Sequence, residues 1–510
     1  MIAVFDFGSQ YTWLIARRIR EFGVKSEVYP YTKINEIVSL NSEISGVILS
    51  GSPASIDEKN PPIIDQRLFD YKIPILGICY GMQMLTEILG GKVGPGDKRE
   101  YGDTLLKIKR DSILFKGIKE KRFSVWMSHY DTVLKMPSGF VSTSTTDTIP
   151  VASMENKKKR IYAVQFHPEV SHTKNGNKIL KNFVFEICKS KKDWNLSRLL
   201  DKKIKEIEER VKDGKVIVAL SGGVDSSVAA VMVKEAIGDK LYPIFVDTGL
   251  IRYGDKKRIE DILIKKMGMK VDIVNAQKIF LRKLKNITEP EKKRKIIGNT
   301  FIEVFEKEAK SIKGITHLVQ GTLYPDVIES AGAGTKSVVI KSHHNVGGLP
   351  EKMKLKLIEP LRDLFKDEVR KIGKKLGLPD EILYQHPFPG PGLAIRILGK
   401  ITEDRLRIVK EADQIVEEEL KKANFYFKLW QGFAVLLPIK TVGIMGDRRT
   451  YDNVIALRMV ESKDAMTSNW AKVPYKILGR ISSRIVNEIE GVNRVVYDLT
   501  NKPPATIEWE

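Results

Sequence analysis

Cysteine is nearly absent: Cys79 and Cys188 are the only two in 510 residues. That excludes a disulfide framework and a cysteine-rich metal site. No apolar run reaches the ~18–20 residues that a helical membrane span requires. Residues 1–7 carry an acid inside a strand-like run, without the basic start and apolar stretch of a secretory signal. The expectation is a cytoplasmic chain with no membrane partner. Internal repeats and low-complexity tracts are missing as well. No G-x-x-x-x-G-K-S/T loop occurs, which disfavours γ-phosphate transfer of the P-loop kind.

What is present is ordinary in bulk. Hydrophobic residues make up 42% and charged residues 29%, the balance of a folded globular chain. At ~100–200 residues per domain the length suggests about three domains. Acids number 64 against 86 basic residues, a net charge of +22. The excess is spread along the chain rather than gathered in one arm. Spread charge reads as a solvated, lysine-rich surface more than a nucleic-acid footprint. No nucleic-acid partner is expected, although an RNA-binding or tRNA-modifying protein stays open as the alternative from a different class.

Residues 2–7, 46–49 and 73–78 are short apolar runs, and a helix-like stretch at 11–22 follows the first. Strand, tight turn and helix in alternation predict an α/β layer with a mostly parallel sheet. A further strand is predicted at 160–166. Between 189 and 214, Leu196, Leu199, Leu200, Ile204, Ile207 and Val211 recur at helical spacing, so the connection is an amphipathic helix. A second α/β block opens at 215–220, with strands at 242–246, 271–274 and 317–320. Residues 321–350 are glycine-rich and predict a mobile lid. The run from His386 to Gly392, H-P-F-P-G-P-G, can be neither helix nor central strand and marks the next boundary. Beyond it, helices at 403–422 and 475–489 and strands at 433–437, 454–460, 494–499 and 505–509 read as α+β. The expected architecture is two doubly wound α/β domains, 1–189 and 190–385, and a C-terminal α+β domain, 386–510.

Chemistry enters at Gly77-Ile-Cys79-Tyr-Gly81, where a strand meets a helix. A turn that sharp lifts the central side chain above the sheet, and the next N–H can face an oxyanion. The helix N-terminus beyond it favours thiolate. A buried cysteine can be merely structural, but this one comes with a base: His167-Pro-Glu169 supplies an imidazole and a carboxylate within three residues. These motifs resemble the class I glutamine amidotransferases over residues 1–189. The resemblance implies that Cys79 attacks the glutamine carboxamide, His167 transfers protons and Glu169 orients it. It also implies Gly51 and Tyr80 as oxyanion donors, and Gln83, Ser128 and Asp131 as glutamine contacts.

A second site is legible at Ser221-Gly222-Gly223-Val224-Asp225-Ser226, between a strand and a helix. Two glycines let backbone N–H groups approach a polyphosphate, and the helix N-terminus adds favourable field. Two serine hydroxyls add donors, and Asp225 can reach a metal. The motif resembles that of the PP-loop ATP pyrophosphatases, which adenylate an oxygen that a nucleophile then displaces with AMP. The resemblance implies ATP as substrate, Val246 at the adenosine-contacting strand end, and Mg²⁺ as cofactor, held by Asp225 and the pyrophosphate.

The acceptor is read from four further segments, 320–330, 340–349, 386–393 and 502–510, which resemble the glutamine-hydrolysing GMP synthase family end to end. That resemblance implies xanthosine monophosphate (XMP) as acceptor, with glutamine and ATP as co-substrates, and a homodimer formed through the C-terminal domain. Arg294, Arg494 and Lys502 suit an anionic nucleotide, with Ile507 and Glu508 beside them. Asp326, Glu329 and Lys341 fall in the expected lid. Another PP-loop amidotransferase is the nearer alternative, disfavoured because such enzymes carry a different glutaminase domain.

Overall fold

The computed structural model of the chain describes residues 1–324, 326–327, 355–445, 448–462 and 468–510. They form two compact units, Met1–Asn195 and Leu196–Glu510. No helix among the described residues is long and apolar enough to cross a membrane.

Unit one is built on nine strands: β1 Ile2–Asp6, β2 Ser26–Pro30, β3 Gly46–Leu49, β4 Ile75–Ile78, β5 Lys92–Ile108, β6 Arg122–Lys135, β7 Val141–Thr145, β8 Ser153–Asn156 and β9 Ile161–Val164. Their order is β2-β1-β3-β4-β9-β8-β7-β5-β6. The first five are parallel to one another, and the rest pair antiparallel. Ile2, Ala3, Val4 and Phe5 are all buried, as continuous apolar runs covered on both faces must be. The antiparallel arm is absent from the sequence reading. On β6 the residues Phe123, Val125, Met127 and His129 are buried alternately, the period of a half-buried strand. The facing β5 hides its own signal behind the glycines and proline at 94–96.

Unit two opens with the helix Leu196–Val211, the predicted amphipathic connection. Five parallel strands follow: β10 Lys215–Leu220, β11 Leu241–Asp247, β12 Asp272–Asn275, β13 Ile315–Val319 and β14 Lys356–Ile358, in the order β12-β11-β10-β13-β14. Beyond them, β15 Gln431–Met445 and β16 Arg448–Glu461 form a long antiparallel ladder. The short β17 Asn469–Trp470 and the parallel β18 Val492–Tyr497 also pair with β16. One hydrophobic core runs from Ile217, Phe280 and Phe305 through Leu393 to Ile408, Ile455 and Ile481. The segment His386–Gly392 therefore lies inside a continuous unit rather than at a break in its core.

Two expectations need correction. Strands foreseen at 433–437 and 454–460 are parts of much longer ones. The strand expected at 505–509 does not form: the Thr506 and Ile507 carbonyls accept instead from the Arg458 guanidinium, at 2.9 and 3.4 Å. The expected lid at 321–350 lies mostly outside the described residues.

Candidate active sites

In unit one, β4 delivers the chain into the turn at Cys79, and the helix Tyr80–Ile88 leaves it. Cys79 sits at φ +53° and ψ −108°, a strained conformation for a residue with a side chain. The flanking glycines make the turn possible. A Cβ on Gly77 would lie 2.7 Å from the Gly81 carbonyl, and one on Gly81 would lie 2.5 Å from the Leu49 carbonyl oxygen. The Cys79 thiol donates to the Ser128 carbonyl at 3.7 Å. The Gln165 amide, fully buried, stands 3.8 Å from the sulfur.

His167 and Glu169 are brought together as the motif predicts, Nδ1 to Oε1 at 2.8 Å, and both are buried. Burial pushes His167 down, but the Glu169 carboxylate, followed by the Cys79 sulfur, outweighs it and holds the imidazole up, at about 10. The ring is thus cationic at neutral pH and lies against the nucleophile. Gly51 packs on the same ring, since a Cβ there would be 3.2 Å from His167 Cε1. The N–H groups of Gly51 and Tyr80 have no acceptor among the described residues, so both remain available to an oxyanion. Gln83 donates to the Asp131 carbonyl at 2.7 Å, and the Asp131 carboxylate accepts from Ser55 at 2.6 Å.

In unit two, the loop after β10 wraps around hydroxyls. Ser221 and Ser226 are 3.0 Å apart through their oxygens, and Gly223 N–H donates to Ser221 Oγ at 3.3 Å. Val224 begins the helix Val224–Ile237, so its first N–H groups point out of the loop. One Asp225 oxygen takes Lys366 Nζ at 2.5 Å; the other is buried and without a partner among the described residues. A cavity of about 330 Å³ opens above this loop, walled by Val246 near the end of β11 and Thr248 just after it, by Ile297 and Phe301, and by Phe388 and Pro389. The wall at Phe388 is fixed by two cations over its ring, Arg252 at 4.6 Å and Arg396 at 5.1 Å.

The residues expected around XMP are spread more widely. Arg294 bonds the Glu510 carbonyl, and Glu508 is held by a bidentate pair with buried Arg396, both bonds at 3.1 Å. Ile507 packs against Phe433, Val435 and Ala456. Lys502 bridges Ser468 through backbone bonds. Arg494 is exposed on β18 and bonds Thr441 and the Val442 carbonyl of β15. No hydrogen bond or ion pair among the described residues joins it to Arg294 or Glu508. Asp326 caps the Leu323 N–H at 3.0 Å, whereas Glu329 and Lys341 lie outside the described residues.

Sequence reasoning missed Gln165, Lys366 and Arg396. Gln165 had a local signal, two positions before His167. Lys366 had none, because it lies 141 residues from its partner Asp225 and meets it only through the crossover topology.

Comparison with known proteins agrees with this geometry. Residues 3–187 match the family model for class-I glutamine amidotransferase, 196–301 that for NAD synthase, and 418–509 that for the GMP synthase C terminal domain. The chain is 54% identical to the glutamine-hydrolyzing GMP synthase of Aquifex aeolicus over 510 residues, covering 100% of this chain and 99% of the relative. The corresponding protein of Brachyspira hyodysenteriae is 53% identical over 509 residues, with the same coverage.

Proposed function

The chain belongs to the glutamine-hydrolysing GMP synthases, and from that premise we propose that it converts XMP to GMP with nitrogen taken from glutamine and energy from ATP. The observation that carries the reading is the pairing on one chain of a buried Cys-His-Glu elbow with a phosphate loop lining a nucleotide-sized cavity. We assign these tasks to residues 1–189 and 190–385, and acceptor binding to residues 386–510 with Arg294.

In the first half-reaction Cys79 Sγ attacks the carboxamide carbon, and the oxyanion is met by the Gly51 and Tyr80 N–H groups. The His167 imidazolium gives its proton to the departing nitrogen, the C–N bond breaks, and ammonia leaves a thioester on Cys79. Water, deprotonated by His167, then releases glutamate. Glu169 keeps the imidazole oriented and compensates its charge. Gln83, Ser128 and Asp131 hold the amino acid.

In the second half-reaction Ser221, Gly222, Gly223, Val224 and Ser226 cradle the ATP phosphates, with adenosine against Val246. The XMP C2 oxygen attacks the α-phosphorus and pyrophosphate departs. Ammonia then adds at C2 and AMP leaves, giving GMP. Mg²⁺ suits the unpartnered Asp225 oxygen together with phosphate oxygens, a hard donor set. Asp225 would hold the ion, which would supply neutralisation of phosphate charge; Lys366, paired with the other Asp225 oxygen, adds a fixed positive charge of its own. Arg294, Arg494, Lys502, Ile507 and Glu508 serve the acceptor, and Asp326, Glu329 and Lys341 the adenylation step.

The protein acts as a cytoplasmic homodimer in this reading. Val442 and Tyr451 are cross-strand partners on the β15–β16 ladder, 59% and 63% exposed, with Ile444 two residues along at 76%. An apolar face of this kind supports burial against a second copy.

The test is an omission assay. With XMP, ATP, Mg²⁺ and glutamine, GMP, AMP, pyrophosphate and glutamate should form in equal amounts; omitting ATP should stop GMP, AMP and pyrophosphate together. GMP made without ATP, or AMP made without pyrophosphate, would contradict the scheme.

A further inference from the structure

Unit one buries a second histidine–carboxylate pair that the reaction scheme leaves without a task. His129 on β6 faces Glu100 on β5 across the ladder, and both are nearly inaccessible, 5% and 6% exposed. His129 Nε2 lies 3.0 Å from the Glu100 carboxylate, and Nδ1 lies 3.0 Å from the Asp131 backbone carbonyl. Burial pushes Glu100 up, but hydrogen bonds from His129, Thr148 and Thr146 outweigh it and hold the carboxyl below its usual range. The ring thus stands between two acceptor oxygens, the Glu100 carboxylate and the Asp131 carbonyl, and is held by a hydrogen-bond contact at each nitrogen.

The Asp131 carbonyl has a second donor, the Gln83 amide at 2.7 Å, which belongs to the helix that starts at the nucleophile. The Ser128 carbonyl, adjacent to His129 in the chain, is the acceptor of the Cys79 thiol. On the far side, Thr146 at 2.7 Å and Thr148 donate to the remaining Glu100 oxygen. A continuous strut, buried from Thr146 inward, thus runs through Glu100, His129 and the Asp131 carbonyl to Gln83, with exposed Thr148 joining it at the Glu100 end.

We propose that His129 is a positioning residue for glutamine: its two ring nitrogens tie the antiparallel arm to the Asp131 carbonyl and so fix the Gln83 amide and the Ser128 carbonyl beside the thiol. The inference rests on the reading that Gln83 and Asp131 hold glutamine. Without the ring, two buried acceptors lose a donor, and Gln83 keeps only a carbonyl that is free to shift. Sub-ångström placement matters here because binding and attack use the same segment. A histidine that served packing alone would affect stability and leave the binding of one substrate untouched.

The test uses the full-length protein, with GMP formation measured from glutamine and, separately, from ammonium. His129→Ala should raise the KM for glutamine by about tenfold, the factor carried by one lost hydrogen bond of typical strength. The KM and kcat with ammonium should stay unchanged. Glu100→Gln should behave like the unaltered chain, because its amide accepts from the threonines and donates to Nε2, leaving Nδ1–H on the Asp131 carbonyl. Glu100→Ala keeps the ring but removes its anchor, and glutamine KM should rise in it too; this milder variant keeps the test decisive if His129→Ala fails to fold. Combined with Gln83→Ala, the effect of His129→Ala should be smaller than the product of the two, since both act on one carbonyl. A glutamine KM raised by Gln83→Ala but unmoved by His129→Ala and Glu100→Ala would overturn the proposal, as would two independent, multiplying effects. A Gln83→Ala variant with unchanged glutamine KM would instead overturn the pocket reading beneath it, and the proposal with it.

Discussion

At Cys79 a positive φ, two glycines without room for a methyl group and a fully buried imidazole converge on one sulfur. The strain has a consequence that mutation can read. Gly81→Ala would put a carbon 2.5 Å from the Leu49 carbonyl oxygen, so the elbow must move. Glutamine-dependent GMP formation should fall by about a hundredfold or more, as ~1 Å misplacements do, while ammonium-dependent formation persists. Comparing the two rates in this variant checks it; equal losses would show a general folding defect. The charge on His167 gives a second outcome. Its folded value of about 10 lies above the ordinary 6.5. Its contribution to stability is therefore complete below about pH 6.5 and drains away as pH rises through about 10. Glu169→Gln removes the largest supporting charge, so denaturant midpoints between pH 6 and 10.5 should slope less in that variant than in the unaltered chain. Parallel slopes would contradict the assignment. The triad residues were legible because their order is local: an elbow and an H-P-E segment each fit within five residues. Lys366 and His129 were not, since each meets its carboxylate partner only through the fold, 141 and 29 residues away, while Gln165 stands two positions before His167, a signal that was passed over.

Elements that announce themselves through periodicity came out of the sequence well. The helix Glu403–Lys422 shows its apolar stripe and its Thr402 cap, which accepts from the Arg405 N–H at 3.2 Å. The antiparallel arm of unit one did not, because glycine and proline interrupt β5 and charged side chains fill its turn. The strand expected at 505–509 failed for another reason. Arg458, itself fully buried, needs acceptors for its guanidinium and takes the carbonyls at Thr500, Thr506 and Ile507. The loop from His386 to Gly392 lines the cavity proposed to take the nucleotide. Gly392 has φ +65°, and a Cβ there would lie 2.3 Å from the Leu250 carbonyl oxygen. Gly392→Ala should destabilise unit two by about 1–3 kcal/mol and raise the KM for ATP, with glutaminase chemistry spared. Urea unfolding and ATP titration of the variant check both; an unchanged KM for ATP would mean that the loop does not shape the cavity.

For the molecule as a whole, the proposed dimer offers a direct readout. Tyr451→Glu places a charge on the exposed apolar face of the β15–β16 ladder, and sedimentation or light scattering should then report half the mass of the unaltered protein. No change in mass would remove that face from the interface. The net charge of +22 remains a property of the surface as a whole, with no residue-level account. The central claim is that one chain carries two separable reactions, and the measurement that tests it most directly is a two-by-two assay. Cys79→Ala and Asp225→Ala are each supplied with glutamine or with ammonium, and GMP and glutamate are scored separately. Cys79→Ala should make GMP from ammonium at a rate close to that of the unaltered chain and none from glutamine. Asp225→Ala should make GMP from neither source. GMP from glutamine in Cys79→Ala, with free ammonia removed, or ammonium-driven GMP at full rate in Asp225→Ala, would contradict the account.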